Sequence, residues 1–147
     1  MLAEALEAYL AADAGMKAIL GLSTARKDQR NGLYPVSVIG TPSLPYVVHY
    51  EVGTTPLYSF QGQNRLQSKR YRFSCYGSNA LNAKQLARAL WKALSNIPIG
   101  IMAVGDIEMH GSYYIAEVDG AEPEGHNTIF GVHVDFEFWF LDTDSSV

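Results

Sequence analysis

Apolar residues alternate with polar ones at Val132, Val134, Phe136, Phe138 and Phe140 against His133, Asp135, Glu137 and Trp139. This period of two predicts a half-buried strand over Ile129–Leu141. The same alternation, weaker, predicts strands at Tyr34–Ile39, at Tyr46–Val52 and from about Ser68 to Tyr76 with Tyr71, Phe73 and Cys75 inward. It predicts a further strand at Ile101–His110, with Tyr113–Val118 as its hairpin partner. Helical spacing takes over in two places. Leu2, Leu6, Tyr9 and Leu10 predict an opening amphipathic helix that Asp13 and Gly15 interrupt, Asp13 being able to cap a short second piece through Met16, Ile19 and Leu20. Ala83, Leu86, Ala87, Leu90 and Leu94 predict the buried stripe of a second main helix, capped by Ser78 or Asn79, with Lys84, Arg88 and Lys92 on its exposed side.

Glycine, proline and polar residues divide these segments. Ser23–Gly32 reads as a surface loop, Thr41–Pro45 as a turn, and Gly53–Leu66 and Asp119–Thr128 as long loops. The resulting order, αβββαβββ, predicts an α+β fold: an antiparallel or mixed sheet of about four to six strands with two helices packed on one face. The expected organisation is one domain over 1–141 and a short disordered tail over 142–147.

Composition narrows the class. The chain has 147 residues, 48% hydrophobic and 18% charged, which fits one globular domain and excludes a disordered, collagen-like or coiled-coil chain. No stretch reaches the roughly 18 to 20 apolar residues of a membrane span, and the opening residues, with Glu4 and Glu7, do not read as a secretory signal. Synthesis in a cytoplasm is the expectation. The single cysteine, Cys75, sits within a strand pattern and reads as a small core residue.

Charge changes the picture more. Residues 1–51 hold four basic and five acidic side chains, residues 52–105 hold seven basic and none acidic, and residues 106–147 hold ten acidic and none basic. The net charge of -4 is therefore the remainder of two opposed blocks. Arg70 and Arg72 either pair across strands with Asp135 and Glu137 inside one chain, or belong with Lys84 and Arg88 to a positive flank that meets the acidic flank of a second copy. Trp139, which the alternation turns outward, is the natural anchor of such a contact.

Catalytic and ligand-binding patterns are sparse. The histidines, His49, His110, His126 and His133, have no metal-ligand spacing, and no Gly-x-Ser-x-Gly elbow or phosphate-binding loop occurs. The basic block lacks any nucleic-acid-binding motif. The residues alone also leave open a small ligand-binding or hydrolytic α+β domain and a nucleic-acid-binding module.

The succession Leu10-Ala11-Ala12-Asp13, Ala18-Ile19-Leu20-Gly21, Leu33-Tyr34-Pro35, Leu44-Pro45-Tyr46-Val47-Val48, Phe73-Ser74-Cys75-Tyr76 and Ala83 through Leu94 resembles the tail completion proteins of tailed bacteriophages. The match runs in motif order from Leu2 to about Leu94, and the last strand agrees in character. The resemblance implies a structural virion subunit with no catalytic residue, no metal and no cofactor. It implies a homo-oligomeric ring, six copies being the expected number, that caps the head-proximal end of the tail tube and joins it to the head-tail connector. DNA would only pass through its lumen, no membrane would be involved, and assembly would take place in the host cytoplasm. Another head-completion or neck ring component is the alternative within the same architecture. The expected interface residues are Arg70, Arg72, Lys84, Arg88, Asp135, Glu137 and Trp139. The loops expected to reach tube or connector carry Thr54, Tyr58, Phe60, Gln63, Arg65, Glu122, Glu124 and His126.

Overall fold

The strand with the clearest alternation lies in the middle of the sheet. A computed structural model describes residues 2–20, 33–35, 45–59, 62–103, 106–124 and 127–142, the side chains of 54–65, 121–129 and 142 falling outside that description. The elements are α1 (Leu2–Ala12), α2 (Ala14–Leu20), β1 (Leu33–Pro35), β2 (Tyr46–Ser59), β3 (Gly62–Gly77), α3 (Ala80–Ser95), β4 (Gly100–Ile101), β5 (Ile107–Glu124) and β6 (Asn127–Asp142). They build a curled, mixed six-stranded sheet in the order β1-β2-β3-β6-β5-β4, with β1 parallel to β2 and the other neighbours antiparallel.

The α+β class stands, with corrections to the count and order of elements. Among the described residues three helices are present rather than two, so the order there is ααβββαβββ. The extra one begins because the Asp13 carboxylate accepts the Met16 N–H at 3.0 Å, capping α2 where α1 stops. The expected loop at Gly53–Leu66 is largely strand: β2 and β3 run on through it as a hairpin, with Thr54 opposite Lys69 and Ser59 opposite Gly62. Backbone pairing there needs no apolar side chains, and register shifts at Glu51/Gly53 and Pro56/Tyr58 absorb the glycine and the proline that marked a loop in the sequence.

The expected break between two strands near Gly111 is a similar irregularity. β5 continues through register shifts at Met109/Gly111 and Tyr114/Ala116, and its hairpin partner is β6. The expected loop at Asp119–Thr128 is accordingly the paired end of that hairpin, down to Glu124 opposite Asn127. Asp142, expected in the tail, ends β6. The expectations for 23–32, 36–39, 41–44 and 143–147 lie outside the described residues.

One face of the sheet carries the core. Tyr71, Phe73 and Cys75 of β3 and Val132, Val134, Phe136, Phe138 and Phe140 of β6 meet Leu86, Leu90 and Leu94 of α3, Leu6 and Leu10 of α1 and Met16 of α2. Phe73 meets Phe136 and Phe138 edge-on, with ring centroids 6.4 and 6.2 Å apart, a favoured aromatic geometry. α3 follows β3 almost at once. Asn79 accepts the Asn82 N–H at 2.8 Å to cap it, and a Cβ on Gly77 would lie 2.6 Å from the Ala83 nitrogen. Only glycine permits so close an approach. The Tyr9 hydroxyl donates to the Ala93 carbonyl at 2.8 Å and ties α1 to α3.

The opposite face of the sheet is aromatic and polar. Tyr34, Tyr46 and Val48 form a small cluster with Tyr50 and Tyr76 beside it, and Tyr46 packs on Tyr76 at 5.2 Å between centroids.

Candidate subunit interface

Register decides what the charged residues do. On the face away from the helices, Arg72 stands opposite Asp135 and Arg70 opposite Glu137. Arg72 is bidentate: Nε donates to Asp135 Oδ1 at 2.8 Å and Nη2 to Oδ2 at 3.1 Å. The Asp135 bond, and after it one to Tyr50, raise the guanidinium above its already high pKa. Glu137 accepts a hydrogen bond from the Ser68 hydroxyl at 2.9 Å, while Arg70 is exposed. Arg72 and Asp135 thus make the cross-strand pair within one chain, which was one of the two uses the sequence left open.

Trp139 departs from expectation. It is half-buried rather than exposed, with Ser68 and Gly111 as its cross-strand neighbours.

Lys84 and Arg88 lie elsewhere. They belong to α3, on the other side of the sheet from Arg70, Arg72, Asp135, Glu137 and Trp139. The expected interface set therefore falls on two surfaces. Lys84 Nζ contacts Asp119 at 2.6 Å and Glu117 at 4.0 Å on β5, and the hydrogen bond to Asp119 raises its pKa. Arg88 is exposed beside a groove of about 450 Å³ between α3 and β5, where Leu81, Trp91 and Tyr114 also line the wall.

This groove and the strand beside it are what the sequence reading missed. Leu81, Trp91, Tyr113, Tyr114, Ile115 and Val118 are large apolar residues left exposed. One signal was present: Leu81, Lys84, Arg88 and Trp91 share helical spacing, so two large apolar residues fall on the charged side of α3.

The two expected contact loops are hairpin ends at opposite ends of the sheet. β3 pairs with β6 from Leu66 opposite Leu141 to Gly77 opposite Phe130. Beyond Leu66 the β2–β3 ribbon continues alone and carries Tyr58, Gln63 and Arg65, with Thr54 lower on the ribbon. Beyond Phe130 the β5–β6 ribbon continues in the other direction and carries Glu122 and Glu124. At about 3.3 Å per residue each overhang is roughly 10 to 15 Å long. Phe60 and His126 lie outside the described residues.

The three described histidines pair locally. Ser74 Oγ and His133 Nδ1 are 2.7 Å apart, His110 lies 3.6 Å from Glu108, and buried His49 lies 3.4 Å from Glu7. Among the described residues, no group of three or more His, Cys, Asp and Glu side chains is placed to hold a metal ion.

No protein-family model matches the chain, and no curated protein matches it significantly. The fold is shared with a solved chain described as "Virion of native gene transfer agent (GTA) particle", with a TM-score of 0.63 and 18% identity over 92% of this chain and 91% of that one.

Proposed function

We propose that this chain is a structural virion subunit without catalytic activity, a tail completion or terminator protein that assembles into a ring of six. The observation that carries the reading is the fold shared over nearly the whole length of both chains with a component of a gene transfer agent particle. It agrees with the bacteriophage resemblance read independently from the sequence motifs.

The two hairpin overhangs support a joining role. An adaptor between a tail tube and a head connector needs contact elements on both ends of one rigid wedge, and the β2–β3 and β5–β6 ribbons leave the sheet in opposite directions. In this reading one ribbon meets the tail tube, the other meets the head-tail connector, and DNA passes through the lumen without being read. The ring sits at the head-proximal end of the tail in the virion, having been assembled in the host cytoplasm. The expected interface residues of the sequence reading then divide. Arg88 serves the contact between copies, Lys84 holds β5 against α3, and Arg72 with Asp135 braces the wedge.

A neck or head-completion ring is the second reading, since the neighbour's description names the whole virion and no part of it. Tube assembly separates the two. Purified chain added to polymerising tail tube subunits of the same virion should arrest elongation and appear at one tube end in negative-stain images. Tubes of unchanged length with bare ends would overturn the terminator role.

A further inference from the structure

Among the described residues the sheet has two open edges. β4 pairs with β5 only at Glu108 and Met109, so among the described residues no strand lies on the outer side of β5 from Gly111 onward. At the other end, among the described residues, β1 pairs with β2 from Val47 to His49 and no strand lies on the outer side of β2 from Tyr50 onward. Proteins that remain single usually blunt such edges with lysine, proline or a covering element. Between Gly111 and Glu122 the β5 sequence contains no lysine and no proline, its one irregularity there being the register shift at Tyr114/Ala116. It instead presents Tyr113 at 56% exposure, Ile115 at 36% and Val118 at 58%.

We infer that β5 of one copy pairs edge to edge with β2 of the next, so that the sheets join into one continuous wall around the ring. The inference rests on the ring reading and names its contact. Three observations carry it. First, strand direction fits: successive antiparallel pairings make β2 and β5 run in opposite directions, so copies related by rotation about an axis along the strands bring them together antiparallel. Second, the contact is heterologous, β5 against β2, which is the kind that closes into a ring. Third, apolar surface lies at the joint: the groove between α3 and β5 is walled by exposed Leu81, Arg88 and Trp91 with Tyr114, beside the β5 edge. Trp and Arg are the residues that most often dominate such contacts.

The test uses the full chain and thiol cross-linking. Cys75 is fully buried and will not compete. V52C and I115C proteins, each folded, are treated with a short bis-maleimide separately and as a mixture. The mixture should give cross-linked dimers, each protein alone should give none, and the V52C/I115C double variant should give a ladder ending at the ring number. A second variant, I115K/V118K, should lose the ring in native mass spectrometry while keeping the wild-type far-UV circular dichroism. Self-cross-linking of I115C alone would overturn the proposal in favour of a two-fold β5 contact. A wild-type ring that survives I115K/V118K and gives no mixed cross-link would overturn edge pairing and leave the ring standing. A monomeric wild type would overturn both.

Discussion

The centre of the sheet and its β5 edge contain similar residue types put to different use. In β3 and β6 the aromatic rings of Phe73, Phe136 and Phe138 are fully buried against the helices, and the charged pair Arg72–Asp135 closes on itself on the opposite face. Along β5 the rings of Tyr113 and Tyr114 are half exposed, and the neighbouring Ile115 and Val118 are also exposed. Buried apolar area stabilises the monomer, whereas exposed apolar area on an unpaired edge costs solubility unless something covers it. The centre therefore accounts for folding, and the edge is the surface the proposed assembly would use.

The largest expected difference between the two regions comes from side-chain truncation. Phe136→Ala should cost about 3 to 5 kcal/mol in urea unfolding, because its ring is fully buried. Val118→Ala on β5 should stay within about 0.5 kcal/mol. Equal costs would erase the distinction.

A smaller effect sharpens the account of the charged pair. Asp135→Ala should destabilise by about 1 to 2 kcal/mol, less than a fully buried pair because the Arg72 side chain is 39% exposed. Arg72→Ala in the same background should then cost little more, giving a coupling energy in a double-mutant cycle. Without that coupling, the pair does not brace the wedge.

An effect of comparable size is set by pH. Burial pushes the Cys75 thiol well above its ordinary value, so the folded state keeps its proton while an unfolded thiol releases one above about pH 8.5 to 9. Stability from this group is therefore full below that range and falls as pH rises, by about 1.4 kcal/mol per unit. Tyr71, pushed up to about 12 by burial and then by the charge of Glu51, adds loss of the same sign only above about pH 10. Melting curves between pH 8.5 and 10 should show the slope, and Cys75→Ala should flatten it.

How much the sequence revealed follows the same division. Val132–Phe140 and the Ala83–Leu94 stripe each have one buried face, and periodicity reports such a face directly. Asp13 announced the start of α2 because a carboxylate three residues before Met16 is placed to cap. The outer halves of β2, β3 and β5 were hidden, since ribbon pairing satisfies backbone groups without a buried side-chain face, and Gly53, Pro56 and Gly111 mimic loop punctuation where register shifts take them in. Among the candidate residues, the opposed charge blocks were legible from counting. Whether Arg72 meets Asp135 in its own chain depended on register, which a one-residue slip would have reversed. The open edge of β5 depended on topology, and no local pattern encodes that.

The central claim, that this chain is one wedge of a ring, is tested most directly by native mass spectrometry of the purified protein at high concentration. The account predicts a closed assembly of six copies without larger open polymers. A strict monomer under those conditions would contradict it.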